Sequence, residues 1–238
     1  MRYVEKYKNE VNEFLSVCRM LGERVYVTSH GGNLSWRLDD NILLITPTKM
    51  YKGSIGPEDL VFIDLKGKKL EGSKNPSGET PMYLTFFQER PDINAVIHCH
   101  PPYTNSFAIT KGTNMLMRPV FPETVVEVGP VPIVPYAEPL TQKLADSFKP
   151  FLQKYNAFLM ESHGLVIMSS GSIGRVFELT DILETSSISI LQALAIGEIK
   201  EISKDEVRNL ENTMRTRKIP MHGNPALNGS LVDLYYPE

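Results

Sequence analysis

The sequence predicts an α/β domain in three layers, α/β/α, with helices on both faces of a central, mostly antiparallel sheet. Three observations predict it. Segments with helical periodicity are interspersed with short apolar runs, and such runs must share one packed core. Several of these runs are joined by brief turn-forming stretches, which favour antiparallel pairing. Neither a G-x-G-x-x-G nor a G-x-x-x-x-G-K loop is present, which weakens the nucleotide-binding folds built on parallel sheets.

In chain order, residues 2–21 place Val4, Tyr7, Val11, Phe14, Leu15, Cys18 and Leu21 at helical spacing, with Gly22 as the stop. Val25 with Val27, then Ile42–Ile45 and Val61–Ile63, are short apolar runs. They are separated by the turns Gly31-Gly32-Asn33, Asp39-Asp40-Asn41 and Lys66-Gly67-Lys68. Residues 80–90 form a helix with Thr80 as its N-cap and Pro81 as first residue. Ala95, Val96 and Ile97 are small or β-branched and suit a buried strand, which Pro101-Pro102 ends. A short helix follows over Asn105–Thr110, and the Pro-rich stretch from Pro119 to Pro139 is extended or looped. Leu140–Leu152 is helical with Thr141 near its cap. Ala157–Met160 and Leu165–Met168 are strands around Ser162-His163-Gly164. The longest helix covers 172–197, from Ser172 to Gly197. From Thr216 onward Pro220, Gly223, Pro225, Gly229 and Pro237 imply an irregular tail, so 1–238 is read as one domain ending at 216–238 in that tail.

Composition bounds the function. With 42% hydrophobic and 22% charged residues, the 238-residue chain has the balance of a soluble globular protein. A net charge of −3 without a basic run argues against a nucleic-acid partner. No apolar stretch reaches the ~18 residues of a membrane span, and no secretory h-region is seen, so no membrane association is expected. Cys18 and Cys99 are the only cysteines; no disulfide is expected, and the default address is cytoplasmic.

Four places carry polar groups that a core would not choose. His98 and His100 stand two apart on a strand, so their imidazoles leave the same face while Cys99 leaves the other. Two such rings can share one metal ion. His163, at the turn Glu161-Ser162-His163-Gly164, is a candidate third ligand. Glu79, in Asn75-Pro76-Ser77-Gly78-Glu79, stands where a loop becomes a helix. Gly32-Asn33-Leu34-Ser35 and Thr46-Pro47-Thr48 offer backbone amides and side chains that can cradle an oxyanion. Taken singly, each has an ordinary explanation: hydrogen-bonded histidines, a capping carboxylate, turn chemistry. Together, three His and one Glu without a thiolate form an N/O site that suits zinc, with Mn, Fe or Co as substitutes.

The ordered set Asn75-Pro76-Ser77-Gly78-Glu79, His98-Cys99-His100-Pro101-Pro102-Tyr103 and Ser162-His163-Gly164 resembles the metal site of the class II aldolase/adducin family. His98 follows Glu79 by 19 residues, an interval that resembles the fuculose- and rhamnulose-phosphate aldolases. Gly32–Ser35 and Ile45–Thr48 resemble their phosphate-cradling segments, and Gly129–Ala137 resembles their connector. The likeness runs from about Asn9 to Glu198.

That resemblance implies a zinc-centred α/β/α fold and a homotetramer with active sites at subunit interfaces. It also implies His98, His100 and His163 on the metal, with Glu79 as a displaceable ligand and proton carrier. Gly32, Asn33, Ser35, Thr48, Lys49, Ser77 and Gly78 would surround the phosphate of a small sugar phosphate. The implied reaction cleaves a ketose 1-phosphate to dihydroxyacetone phosphate and an aldehyde, zinc polarising the carbonyl and stabilising an enediolate.

The chain also departs from the family pattern. Thr48-Lys49 stands where Thr-Gly is usual, Ser77-Gly78 where two serines are usual, and Glu138-Pro139-Leu140 where Thr-Pro-Gly is common. The fuculose enzyme's tyrosine between second His and connector has no counterpart, although Glu123 falls nearby. A pentulose-5-phosphate 4-epimerase is an alternative, but epimerases resemble a pattern with Asp at the position of Glu79. Decarboxylase and dehydratase relatives keep the Glu. An adducin-like interaction module lacks the ligand set present here.

Overall fold

The computed structural model describes residues 2–227 and 229–237. The chain opens with α1 (Tyr3–Lys6) and α2 (Lys8–Glu23), then forms β1 (Asn33–Asp39), β2 (Ile42–Ile45), β3 (Val61–Ile63) and β4 (Lys69–Glu71). Next come α3 (Thr80–Glu89), β5 (Ala95–Cys99), α4 (Pro102–Ala108), α5 (Pro122–Glu127) and β6 (Ile133–Val134). The second half holds α6 (Gln142–Ser147), α7 (Lys149–Leu152), β7 (Ala157–Met160), β8 (Gly164–Ser169), α8 (Ile173–Ile196), α9 (Lys204–Arg217) and α10 (Leu231–Tyr235).

All eight strands join one sheet in the order β4-β3-β2-β1-β5-β8-β7-β6. Every pairing is antiparallel except β6 with β7. Alternation along each strand divides the core in two. Leu34, Leu44, Phe62, Ile97, Cys99 and Ile167 pack with α2 and α8 on one face. Leu43, Ile45, Val61, Val96, Val166 and Met168 pack with α3, α6 and α7 on the other. His98 stands two residues after Val96 on β5 and so faces the same α3 layer. The expected three layers are present.

Several local expectations needed correction. The first helix breaks at Tyr7, whose backbone leaves the helical region (φ −109, ψ 41) and whose hydroxyl donates to Asp39 at 3.1 Å. Gly22 lies inside α2 rather than after it. Val25 and Val27 belong to no strand. They follow the reversal that ends α2, where Val25 takes φ +59 and its N–H donates to the Gly22 carbonyl. The strand is β1, further along.

The Pro-rich stretch contains α5, which Pro122 starts at a position where no N–H is needed. Neither α5 nor α9 was expected. In α9, Ser203 accepts the Glu206 N–H as its cap. The tail is not wholly irregular: α9 runs to Arg217, and Leu231, Val232 and Tyr235 of α10 pack with Val125, Val207 and Met214. α8 is long and apolar enough to cross a membrane by length and composition, contrary to the reading that no stretch is. Its buried residues, from Ile173 through Leu183 to Ile190, lie against the α2 face of the sheet. Cys18 and Cys99 are both free and buried, as expected.

Candidate metal centre

Register brings the first groups together. Asn33 on β1 lies directly opposite His98 on β5, and His98 opposite Val166 on β8. His100 lies just past the end of β5, its N–H donating to the Tyr26 carbonyl at 2.7 Å. His163 sits in the three-residue turn between β7 and β8, where Met160 pairs with Gly164. Ser162 takes φ +55 in that turn, a left-handed conformation that costs a residue with a Cβ about 1–2 kcal/mol. A side chain at Gly164 would meet His100 at 2.4 Å, the Cys99 carbonyl at 2.8 Å and His98 at 2.9 Å. Only glycine lets the third histidine's turn settle so closely on the first two.

The result is a cluster in which nitrogens of His98, His100 and His163 lie within 4.8 Å of one another. The Nε2 atoms of His98 and His100 are 3.1 Å apart. On His98 the other ring nitrogen, Nδ1, donates to the Leu165 carbonyl at 2.9 Å. That bond fixes the tautomer and leaves the Nε2 lone pair facing the cluster. Burial pushes the pKa of both His98 and His100 down to about 3, with repulsion between neighbouring imidazoles adding to it. Burial lowers His163 as well. Three neutral, convergent imidazoles form a donor set that fits a dication such as zinc.

Glu79 completes the centre. It occupies the N-cap position of α3, yet its carboxylate makes no cap bond. One oxygen lies 3.6 Å from His98 Nε2 and the other 3.6 Å from His163 Nε2. The Asn33 amide donates to the first of these oxygens at 2.7 Å. Tyr83, one turn along α3, has its hydroxyl 2.6 Å from Asn33 Oδ1 and 2.7 Å from the Asn33 carbonyl. Burial holds this phenol well above its ordinary pKa, so it stays a donor. Ser77 Oγ accepts the Glu79 N–H at 3.2 Å.

The segments expected to cradle an anion are also neighbours. Residues 46–48 run beside 75–77: Thr48 N–H donates to the Asn75 carbonyl, Ser77 N–H to the Thr46 carbonyl, and Pro47 bridges Pro76. Thr46 Oγ1 accepts the Leu34 N–H, which draws in the segment after Gly32 and Asn33. Gly32 (φ +72) packs on the His98 carbonyl. Ser77 is buried and Gly78 exposed, next to Glu79. Ser35 is fully buried below Asn33, its hydroxyl without a partner, and is not open to a ligand. Lys49 is exposed, with φ +57. Tyr103 and Glu123 are exposed on α4 and α5.

Two supporting residues escaped the sequence reading. Tyr83 falls four residues after Glu79 and so shares its helix face, a spacing that could have flagged it. Glu184 is buried on α8, where its carboxylate accepts the N–H groups of Tyr103 and Thr104 and the Thr104 hydroxyl. It thereby anchors the start of α4 just after His100; an acidic residue on an apolar helix face was its signal.

The fold and this cluster define an α/β protein with a carboxylate beside three histidines that could hold a metal ion. Residues 12–188 match the Class II Aldolase and Adducin N-terminal domain family, and the chain belongs to that family. It is 31% identical over 196 residues to a 3-oxo-tetronate 4-phosphate decarboxylase of Haemophilus influenzae, covering 82% of this chain and 92% of that one. It is 32% identical over 182 residues to a 5-deoxy-D-ribulose 1-phosphate aldolase of Bacillus thuringiensis, covering 76% and 83%. Among solved structures, it is similar to YgbL of Klebsiella pneumoniae, a candidate aldolase/epimerase/decarboxylase. That likeness has a TM-score of 0.79 and 31% identity over 85% of this chain and 98% of that one.

Proposed function

We propose that the protein is a metal-dependent lyase that breaks the C3–C4 bond of a small ketose 1-phosphate, one carbon removed from its carbonyl. The products are dihydroxyacetone phosphate and an aldehyde. The observation that carries this reading is the Glu79 carboxylate, turned away from its own helix to lie 3.6 Å from two of the three imidazoles. A carboxylate that only capped α3 would bond to the helix's amides.

The assigned ligands are His98, His100 and His163, with Glu79 beside them as the group a substrate displaces. A zinc ion, when bound, supplies a Lewis acid that draws negative charge onto the substrate's carbonyl and hydroxyl oxygens. Asn33 holds one Glu79 oxygen by its amide, which orients the carboxyl toward the carbon that gains or loses a proton. In the cleavage direction the C3–C4 bond breaks and its electron pair stays on C3. The C4 hydroxyl gives up its proton to solvent as the aldehyde forms, and C3 receives one from the Glu79 carboxyl, which solvent has protonated, so that one proton leaves and one is taken up. Thr48, Lys49, Ser77 and the backbone at Gly32 and Gly78 are assigned to the phosphate. The homotetramer with sites at subunit interfaces, implied by the resemblance, is part of this proposal.

A second reading is favoured by the decarboxylase relatives. A four-carbon 3-oxo acid 4-phosphate would lose carbon dioxide instead of an aldehyde and leave the same three-carbon phosphate, with the same protonation. One experiment addresses both. Dihydroxyacetone phosphate release is measured from fuculose, rhamnulose, ribulose and deoxyribulose 1-phosphates and from 3-oxo-tetronate 4-phosphate, with wild type and Glu79→Gln. The Gln variant should keep its metal and lose roughly 10²–10⁴-fold in turnover. It should also stop solvent deuterium exchange into dihydroxyacetone phosphate. Exchange at the wild-type rate would remove Glu79 as the proton carrier and turn attention to Glu123 and Tyr103. No release from any of the five would remove the lyase reading.

A further inference from the structure

Two of the departures from the family pattern, distant in sequence, touch each other in space. Gly78 immediately precedes Glu79. A Cβ placed on Gly78 would lie 2.9 Å from Leu140 Cδ2, 3.4 Å from Cδ1 and 3.5 Å from Cγ. The leucine therefore fills the volume that a side chain at 78 would take.

Leu140 is itself an unusual choice for its place. Its φ is +67, where glycine sits without strain and a leucine is strained by its Cβ. It is also 62% exposed, so burial within the chain repays little of that cost. The backbone around it is pinned. Thr141 donates to the Glu138 carbonyl at 2.7 Å and accepts the Leu144 N–H as the cap of α6. At the other end of the same connector, the Tyr136 N–H donates to the Glu161 carboxylate at 3.0 Å, two residues before His163. The connector thus spans from the turn of the third histidine to the turn of Glu79. Leu140 is its apolar tip on the Glu79 side. The side chain can rotate, but the turn that carries it is fixed, so any group added at 78 competes with it for one space.

We propose that Leu140 is a specificity-determining residue. Paired by size with Gly78, it sets the room open to the phosphate-bearing end of the substrate beside Glu79. This rests on the reading that an anionic substrate lies among residues 46–49 and 75–78. A larger residue at 78 crowds that end unless position 140 becomes small. The strain at Leu140 is retained because the bulk is needed at the site, not in the core.

The test is a double-mutant cycle on the zinc-loaded protein: wild type, Gly78→Ser, Leu140→Gly and the double variant. Dissociation constants for dihydroxyacetone phosphate and for inorganic phosphate are measured by calorimetry, with zinc content and thermal midpoint as controls. Gly78→Ser alone should weaken both probes about five-fold or more, and the double variant should recover most of that loss, a coupling of the size seen for residues in contact. Zinc content should stay constant throughout. Additive effects, or no effect of either substitution on either probe, would overturn the pairing. So would a wild-type protein that binds neither probe. A Gly78→Ser protein that loses zinc or does not fold transfers the test to Leu140→Gly and Leu140→Ala. These should change the affinity for dihydroxyacetone phosphate at least about three-fold, and unchanged affinity in both overturns the proposal. Intact coupling in a protein that cleaves none of the candidate substrates would remove the lyase reading and leave the pair standing.

Discussion

Asn33 is bonded to Glu79 across 2.7 Å, from a strand to a helix N-terminus 46 residues away in the chain. The amide donates through Nδ2 while its Oδ1 faces the Tyr83 hydroxyl at 2.6 Å. Asn33 therefore relays the position of one buried side chain of α3 to another.

Asn33→Ala removes that relay and leaves Tyr83 its alternative acceptor, the residue's own carbonyl. Outer-shell losses of this kind typically cost roughly 10–100-fold in metal affinity or activity. Turnover should fall in that range with the thermal midpoint little changed, and Tyr83→Phe should fall less. Wild-type turnover in Asn33→Ala would show that Glu79 is held by its own turn.

The three imidazoles should hold roughly one zinc per subunit, as a single centre of three nitrogens allows. Chelation should abolish activity, zinc should restore it, and cobalt should substitute. His163→Ala should retain the fold and bind zinc far more weakly in a competition with a chromophoric chelator. Full activity in chelator, or unaltered affinity in the His163 variant, would contradict the assignment.

The depressed histidines set a pH dependence for the metal-free protein. A group whose folded pKa lies below its ordinary value stabilises the fold above the ordinary value and ceases to as pH falls toward the folded one. For His98 and His100 that window runs from 6.5 down to about 3. The urea midpoint of chelator-treated protein should therefore hold above the upper bound and decline steadily below it. The decline should be shallower in His98→Gln. A midpoint flat across the upper half of the window would refute neutral burial of these rings.

Lys49 sits at φ +57 with its side chain in solvent. Lys49→Gly relieves a left-handed residue at a cost in unfolded-chain entropy, so stability should shift by no more than about 1 kcal/mol. The apparent KM for a phosphorylated substrate should rise, because one nearby positive charge is gone. An unchanged KM would return the ammonium to the surface.

The sequence made the histidine cluster legible because two of its members obey the strand period and the third sits at a glycine turn. It made the layers legible through helical spacing. It carried β1 in the alternation of Leu34, Trp36 and Leu38 with Asn33, Ser35 and Arg37, a strand period whose start is masked by the turn residues Gly31-Gly32-Asn33. Asn33 and Arg37 are polar for tertiary reasons: one holds Glu79, and the other donates to the Phe87 and Pro91 carbonyls. Helix α5 was hidden by prolines that start a helix as readily as they end one. Helix α9 has Val207, Leu210 and Met214 at helical spacing, but the rest of it is polar, so its apolar stripe is thin. Within the site, the role of Asn33 depends on the register of β1 against β5, which no local pattern encodes.

The strand order also imposes a timetable on synthesis. His98 on β5 and His100 just after it are made in the first half of the chain, but the neighbouring strand β8, the acceptor for His98 Nδ1 and the third histidine all arrive some 65 residues later. A nascent chain ending before His163 can pair β5 with β1 but lacks the third histidine and the Leu165 carbonyl that fixes the His98 tautomer. Contacts of such separation form late in folding, so the centre should mature after the β1–β4 half has already acquired its protection. Pulse-labelled hydrogen exchange, comparing the amides of β2 and β3 with those of β5 and β8, would record that order directly.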